Sequence, residues 1–293
     1  MSEVKKPGLT KDDYTISEQH IKTADGFHAL YVQQWGNPKG VPILYLHGGP
    51  GVGCRDKFKS YFNPKKHLVV FLDQRGAGSS TPYGSLKENT TPKLVEDIEA
   101  VRKELGIQKW HIHGTSWGST LALCYAIKHQ SNINSMVLGG IWLCSKEEID
   151  WLVKGQYEMF YPDAWERFNK LNPKRDEIDF FAYSSAFIQF YRLDDRYYPL
   201  DPEKYDDTPL KIEFEYFKND VYLPEDYLLN NASKINVPVN IVQGRYDFVT
   251  PPKAAYELDK RLPDSEVFWT IAGHSASDRG NYDTIRALLS QLS

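Results

Sequence analysis

A serine between two glycines is the most specific chemical feature of this chain: Ser116 lies in the segment Gly114-Thr-Ser-Trp-Gly118. Residues 110–113 before it are strand-like and residues 119–129 after it are helix-like. Flanking glycines permit the tight, strained turn on which a serine hydroxyl projects from a sheet. The helix that follows favours negative charge developing near its N-terminus. We therefore predict that Ser116 is a catalytic nucleophile.

A serine nucleophile requires a base and a carboxylate that orients the base. Among the eight histidines, only His274 follows the last predicted strands of the chain. Asp247 lies just after the strand that precedes it, in the corresponding loop. Asp259 and Asp264 are competing acids, but the first falls within a predicted helix and the second beyond that helix. We predict Asp247 as the acid and His274 as the base.

The glycine-rich residues 47–51 (His-Gly-Gly-Pro-Gly) follow another predicted strand, where a backbone donor for a substrate oxyanion is expected. Glycine lets the backbone approach the substrate closely, and Pro50 restricts the loop. We predict that the backbone N–H groups of Gly49 and of Trp117, the residue after the nucleophile, form an oxyanion hole. Losing one such donor typically costs about 3 kcal/mol of transition-state stabilisation.

Two histidines, His111 and His113, lie on one face of a predicted strand, as a metal-binding pair would. No third ligand stands at a suitable spacing, and buried histidines with an ordinary hydrogen-bond partner are commoner. Nothing in the sequence resembles a glycine-rich phosphate loop. We predict neither a metal nor a cofactor.

Short apolar runs that end at or near turn-forming residues alternate with helix-like segments along much of the chain. The runs predict buried strands at residues 41–46, 67–72, 110–113, 135–138, 239–242 and 266–271. Helices are predicted from Thr91, taken as the N-cap, to Leu105, at 119–129 and at 251–262. This alternation predicts an α/β fold with a mostly parallel sheet flanked by helices on both faces.

The middle of the chain differs in composition from its flanks. With 293 residues the chain is long enough for two domains in series. Residues 151–231, however, hold 20 of the 40 aromatic residues and carry 10 basic against 17 acidic side chains, a net charge of −7. We therefore predict one core, residues 1–141 and 233–293, interrupted by an inserted helical cap, residues 142–232.

Overall composition excludes several classes of protein. The net charge of −4 lacks the basic footprint of a nucleic-acid-binding protein. No run of 18 apolar residues is present and the N-terminus is polar, so neither a membrane span nor a secretory signal is expected. The three cysteines show no paired spacing, which favours a reducing compartment and a cytoplasmic location. The sequence does not predict an oligomeric state.

Taken together, the motifs resemble the proline iminopeptidase (prolyl aminopeptidase) family of α/β-hydrolases. The matching stretches are LYLHGGPG (44–51), DQRGAGSS (73–80), GTSWGSTLAL (114–123), GRYD (244–247) and AGHS (272–275), with two segments of the cap, 147–151 and 161–166. The resemblance implies a triad of Ser116, Asp247 and His274, with Gly49 and Trp117 as oxyanion donors. Independently of the resemblance, residues 73–79 are predicted to form a structural loop whose Asp73 and Arg75 bond the backbone near the site.

The resemblance implies that the protein removes an N-terminal proline from peptides through an acyl-enzyme. Such an enzyme needs an anionic group for the charged amine of a small peptide and an apolar slot for the proline ring. Residues 212–217 (IEFEYF) resemble the cap segment of the family whose glutamate, here Glu213, would bind the amine. The acidic cap would attract a cationic amine. Aromatic residues, among them Trp142 and Tyr191, are predicted to line the pocket.

Three positions depart from the family pattern. A tryptophan–glutamate pair that supplies a second amine ligand aligns with Phe190 and Tyr191, and an arginine of the family aligns with Gly139. An esterase or amidase of the same fold, or an aminopeptidase of broader specificity, is therefore an alternative. A non-catalytic ligand-binding protein is a further alternative, since this fold also serves as a receptor. The intact set of Ser116, Asp247 and His274 argues against it.

Overall fold

A single mixed sheet forms the centre of the computed structural model, which describes residues 8–153, 156–171 and 206–293. Its strands are β1 (Thr15–Lys22), β2 (Ala29–Gly36), β3 (Val41–Leu46), β4 (His67–Leu72), β5 (Trp110–Thr115), β6 (Ile133–Gly139), β7 (Val239–Gly244) and β8 (Ser265–Thr270). They lie in the order β1-β2-β4-β3-β5-β6-β7-β8. The six strands β4-β3-β5-β6-β7-β8 pair parallel to one another. The strand β2 pairs antiparallel with both β1 and β4. The predicted fold class is confirmed.

The described helices follow most of the strands. They are α1 (Thr91–Glu104), α2 (Trp117–His129), α3 (Lys146–Val153), α4 (Pro162–Leu171), α5 (Thr208–Lys218), α6 (Tyr227–Asn231), α7 (Lys253–Asp259) and α8 (Arg279–Gln291). One apolar cluster packs α1, α2 and α7 against one face of the sheet. A second packs α8 and residues 61–62 against the other face. Because both faces are covered, the parallel strands are almost wholly apolar.

The six predicted strands are all present, with small changes at their ends. Ile271, predicted as the end of the last strand, lies beyond β8 and is 81% exposed. The edge strand β1 was not predicted, because its sequence, TISEQHIK, is largely polar and half-exposed. Its partner β2 escaped prediction as well. Neither strand has the continuous apolar run that marks a buried parallel strand: β1 is largely polar, and in β2, which lies between β1 and β4, Gln33 and Gln34 interrupt the run.

One predicted helix start is wrong by one residue. Thr90, and not Thr91, is the N-cap of α1, and its side chain makes no capping hydrogen bond. The hydroxyl of Thr91 instead donates to the carbonyl oxygen of Val221, in the segment between α5 and α6. A tertiary contact has therefore replaced the local cap that the sequence favoured.

The loop after β4 is structural, as predicted. Asp73 is fully buried and accepts hydrogen bonds from the backbone N–H groups of Cys54 and Ser79 at 2.6 and 2.7 Å. Burial raises the pKa of the Asp73 carboxyl to about 6. Arg75 is buried in ion pairs with Asp97 and Asp25, both at 2.6 Å. This loop therefore anchors the segment that follows β3.

Between β6 and β7 the described residues are helical or irregular. The cap boundaries at 142 and 232 stay a prediction, and residues 172–205 of that segment lie outside the described part. The helix α5 packs onto the core: the hydroxyl of Tyr216 donates to Asn89 Oδ1 at 2.9 Å, and its ring meets Trp117 edge-on. Nowhere in the described ranges does a helix have the length and apolar character that a membrane span requires.

Candidate active site

Ser116 occupies a strained turn between β5 and α2. Its backbone angles, φ 57° and ψ −130°, lie outside the regions that non-glycine residues favour. A Cβ at Gly114 would lie 2.4 Å from the carbonyl oxygen of Gly118, and one at Gly118 would lie 2.2 Å from that of Leu46. Both flanking positions therefore require glycine. The Ser116 N–H donates to the carbonyl oxygen of Gly139 at 2.9 Å, which ties the turn to β6.

His274 and Asp247 meet at the same edge of the sheet, beyond the carboxyl ends of β8 and β7. The His274 Nδ1 atom lies 2.9 Å from Asp247 Oδ2 and 3.1 Å from Oδ1. Only 3% of the His274 side chain and 1% of the Asp247 side chain are exposed. The competing acid Asp259 ends α7, where it accepts a hydrogen bond from the Ser265 hydroxyl at 2.7 Å. The geometry thus pairs His274 with Asp247.

Residues that were not predicted hold the Asp247 carboxylate in place. Its Oδ1 accepts hydrogen bonds from the backbone N–H groups of Val249 and Thr250 at 3.0 and 2.8 Å. Its Oδ2 accepts from the Thr250 hydroxyl at 2.9 Å and from Gln243 Nε2 at 3.1 Å. Gln243 Oε1 also accepts from the N–H of Ile141. The only sequence signal for Gln243 was its position as a polar residue directly after the apolar run that ends at Val242.

The two predicted oxyanion donors lie on either side of Ser116. Gly49 has a φ of 113°, and a Cβ there would lie 2.7 Å from the backbone nitrogen of Gly51, so the loop requires glycine. Trp117 begins α2, where a backbone N–H has no acceptor inside the helix. Neither the Gly49 nor the Trp117 N–H donates to an acceptor within the described ranges.

Most of the predicted site residues line one cavity of about 120 Å³. Its lining has two parts: Ser116, His274 and Gly49 come from the loops at the carboxyl edge of the sheet (the core side), and Trp142, Glu213 and Phe217 come from the segment after β6 and from α5 (the opposite side). Glu213 and Phe217 share a face of α5 because they are four residues apart. The Trp142 ring meets Phe217 edge-on at 5.4 Å, so α5 and the segment after β6 form one wall.

Two polar groups on that wall have no protein partner in the described part of the chain. The Glu213 side chain makes no hydrogen bond or ion pair there, and burial raises the pKa of its carboxyl to about 8. The Trp142 Nε1 atom is buried and likewise without an acceptor. A carboxylate aimed at a cavity that holds a nucleophile and a base is suited to bind a cationic amine.

Comparison with known proteins agrees with this geometry. Residues 41–278 match the family described as alpha/beta hydrolase fold. The proline iminopeptidase of Neisseria gonorrhoeae is 40% identical over 273 residues, which cover 86% of this chain and 88% of that protein. The proline iminopeptidase of Arabidopsis thaliana is 38% identical, over 90% of this chain and 76% of that protein. This chain belongs to the proline iminopeptidase family of α/β-hydrolases.

The predicted family and the prediction of a hydrolase are therefore confirmed. The crystal structure of proline iminopeptidase from Mycobacterium smegmatis shares the fold, with a TM-score of 0.63 at 22% identity over 94% of this chain and 97% of that one. The structure of VinJ shares it too, with a TM-score of 0.69 at 19% identity over 95% of this chain and all of that one. Both likenesses concern the fold alone.

Other predicted residues fall in different places. Tyr191, which aligns with the second glutamate of the proline iminopeptidase family, lies outside the described residues, as does Phe190. Gly139, which aligns with the arginine of the family, ends β6, and a Cβ there would lie 3.1 Å from Thr115 Cγ2. A side chain at this position would thus press on the residue before the nucleophile.

The histidine pair on β5 is structural. His111 Nδ1 lies 2.7 Å from the Ser135 hydroxyl, and His113 Nδ1 lies 2.8 Å from the carbonyl oxygen of Val137. Burial lowers the pKa of His113 to about 4. Within the ranges that the structure describes, no group of three or more metal-binding side chains comes together.

Proposed function

We propose that this protein is a serine aminopeptidase that releases N-terminal proline from small peptides with a free N-terminus. One observation carries the proposal: the nucleophile Ser116, the base His274 and the carboxyl of Glu213 line the same cavity. The curated proteins with 36–40% identity to this chain that bear the name proline iminopeptidase support the same substrate.

In this proposal Ser116 attacks the carbonyl carbon of the N-terminal residue. His274 accepts the hydroxyl proton and later donates it to the leaving amine, while Asp247 orients the imidazole and stabilises its charged form. The backbone N–H groups of Gly49 and Trp117 bind the oxyanion of the tetrahedral intermediate. Water then attacks the acyl-enzyme, again with His274 as base, and free proline leaves.

In the same scheme, Glu213 is the reason why the substrate must have a free N-terminal amine. The substrate ammonium would replace the missing partner of the carboxylate and favour its ionised form. The apolar rings of Trp142 and Phe217, beside Glu213, would contact the pyrrolidine ring. Because Glu213 and Ser116 line one small cavity, only a residue with a free amine directly beside the scissile bond fits both.

A panel of substrates tests the proposal. The purified protein is assayed with the p-nitroanilides of proline, alanine and leucine, with N-acetylproline p-nitroanilide and with p-nitrophenyl acetate. We expect the highest kcat/KM for proline p-nitroanilide and a loss of at least about 10-fold on acetylation, since a lost charge-assisted hydrogen bond costs roughly 10–100-fold. Equal rates on the free and acetylated anilides would contradict an aminopeptidase.

An esterase, amidase or broader aminopeptidase is the second candidate. The observation in its favour is that Glu213 is the only acid among the described residues that line the cavity, and Tyr191 replaces the second acid of the family. One carboxylate would orient the substrate amine less strictly than two. Similar kcat/KM values on the three free anilides, with rapid ester hydrolysis, would favour this candidate.

We also propose a cytoplasmic location. All three cysteines, Cys54, Cys124 and Cys144, are unpaired thiols, and burial raises the pKa of each. Unpaired thiols of this kind are typical of proteins from reducing compartments. Fractionation of the native cells with an antibody against the protein would test this location.

A further inference from the structure

His47 and Gln74 connect the two loops that carry the predicted oxyanion donors. His47 lies directly before Gly48 and Gly49, and Gln74 lies after β4. His47 is fully buried and only 3% of Gln74 is exposed. Neither residue lines the cavity, so neither contacts a substrate there.

The contacts of the His47 ring assign its tautomer. Its Nδ1 lies 2.8 Å from the carbonyl oxygen of Gly48 and 3.2 Å from the backbone nitrogen of Gly53, and its Nε2 lies 3.1 Å from that of Gln74. With the proton on Nδ1, the ring donates to Gly48 and accepts from Gln74, and only the longest of the three contacts, with the Gly53 N–H, is lost. With the proton on Nε2, two donors face each other at Gln74 and two acceptors at Gly48. The first tautomer is therefore the stable one.

That tautomer orients one oxyanion donor. The peptide bond between Gly48 and Gly49 is trans, since it is not among the cis bonds of the described chain. In a trans peptide the C=O and N–H bonds point in opposite directions. Because His47 holds the Gly48 carbonyl oxygen on its own side, the Gly49 N–H is turned away from His47. Burial lowers the pKa of His47 to about 4, so the ring stays neutral at ordinary pH.

Gln74 ties this loop to the second donor. Its Nε2 donates to the carbonyl oxygen of His47 at 3.0 Å, and its Oε1 accepts from the indole Nε1 of Trp117 at 2.8 Å. Trp117 is fully buried, and its own backbone N–H is the second predicted donor. One side chain amide thus sets the position of the loop after β3 relative to the first residue of α2.

We propose that His47 and Gln74 are positioning residues that hold the backbone N–H groups of Gly49 and Trp117 as one preformed oxyanion hole. The proposal rests on the proposed function, because it requires acyl transfer from Ser116. Preorganised donors act mainly on the transition state, so their displacement lowers kcat and leaves substrate binding nearly unchanged.

Three variants and one control test the proposal. His47→Leu removes the three polar contacts of the ring at similar volume, and Gln74→Met keeps the shape of Gln74 without its polar atoms. His47→Asn keeps a donor near the position of Nδ1. The control, His113→Asn, alters a second fully buried histidine whose Nδ1 bonds a backbone carbonyl, but on β5, where its ring contacts Tyr45, Tyr61 and Phe62.

We expect kcat to fall about 100-fold in His47→Leu and about 10-fold in Gln74→Met, with KM within threefold of wild type, because a displacement of about 1 Å has effects of this size. His47→Asn should recover at least tenfold of the loss in His47→Leu. His113→Asn should keep kcat within twofold. The losses should be equal on proline p-nitroanilide and on p-nitrophenyl acetate, since both form an oxyanion.

Several results would overturn the proposal. They are wild-type kcat in His47→Leu or Gln74→Met, no recovery in His47→Asn, or a loss in His113→Asn as large as in His47→Leu, which would indicate a general effect of buried histidines. If His47→Leu does not fold, the proposal is tested by comparing kcat of Gln74→Met with kcat of His113→Asn. Failure of the proposed function is distinct: the wild-type protein would then hydrolyse neither substrate and resist labelling by a fluorophosphonate. If only the ester is hydrolysed, the same variants are compared on the ester.

Discussion

The two walls of the cavity differ in how their polar groups are satisfied. On the core side, the Asp247 carboxylate accepts hydrogen bonds from Val249, Thr250 and Gln243 in addition to its contact with His274. On the opposite side, the Glu213 carboxyl and the Trp142 Nε1 have no partner in the described part of the chain. Groups that perform chemistry are thus held from all sides, whereas groups predicted to recognise substrate are left open.

This difference has an energetic meaning. A buried polar group without a hydrogen bond destabilises the folded state by about 1–3 kcal/mol. The core wall avoids that loss, because both carboxylate oxygens of Asp247 accept hydrogen bonds from neighbouring residues. On the opposite wall the buried Trp142 Nε1 carries that loss, and the partly buried Glu213 carboxyl is open to a ligand with a cationic amine. Changes to the core wall should therefore affect every substrate, and changes at Glu213 only those with a free amine.

The largest expected effect is the loss of the nucleophile. Ser116→Ala should lower kcat by about 10⁵-fold or more on both proline p-nitroanilide and p-nitrophenyl acetate, because both require the same acyl-enzyme. Steady-state assays and fluorophosphonate labelling measure it. The control is Ser135→Ala, whose hydroxyl contacts His111 near the opposite edge of the sheet. Retained ester hydrolysis in Ser116→Ala would show that the ester and the anilide do not share one nucleophile, and would contradict the expectation that changes to the core wall affect every substrate.

The next largest effect concerns the orienting acid. Asp247→Asn should lower kcat by about 10⁴-fold on both substrates, since an amide favours the wrong tautomer of His274. The matched control is Asp259→Asn, which alters the competing acid that bonds Ser265 at the end of α7. Kinetics on the two variants decide between the acids. A larger loss in the control would assign the role to Asp259.

A smaller and selective effect is expected on the opposite wall. Glu213→Gln should lower kcat/KM for proline p-nitroanilide by roughly 10–100-fold, the value of a charge-assisted hydrogen bond, and leave p-nitrophenyl acetate within twofold. Glu215→Gln is the control, because Glu215 lies on the same helix but bonds Asn219 and does not line the cavity. An equal loss on both substrates would show that Glu213 serves the chemistry or the fold.

The smallest effect is on stability. The pKa of Glu213 rises from 4.5 to about 8 on folding, so between these values the folded state binds more protons than the unfolded state, and stability falls as pH rises. Glu213→Gln removes this term. Its melting temperature should exceed that of wild type by a few degrees at about pH 9 and match it at about pH 4. Thermal melts at both pH values, with Glu215→Gln beside them, measure it; a pH-independent difference would contradict an ionisable, unpaired Glu213.

Local patterns predicted much of the fold, because the parallel strands β3 to β7 lie inside the sheet and contain buried apolar runs, as does most of the half-buried edge strand β8. The edge strand β1 has no such run, and Thr91 exchanged its local cap for a contact with Val221. The triad followed from the order of Ser116, Asp247 and His274 along the chain. Thr250 and Gln243 could not be predicted in the same way, since only the folding of the loop after β7 directs them at Asp247.

The sequence by itself determined which residue types stand at the carboxyl edge of the sheet, because strand periodicity and glycine turns are local properties. It also determined that positions 114 and 118 flank a strained serine. Only the tertiary structure decided that Glu213 lines the same cavity as Ser116 with no partner among the described residues, and that Gln74 joins His47 to Trp117. Those relations connect segments far apart in the chain, and their geometry depends on how the packed helices and loops meet in space.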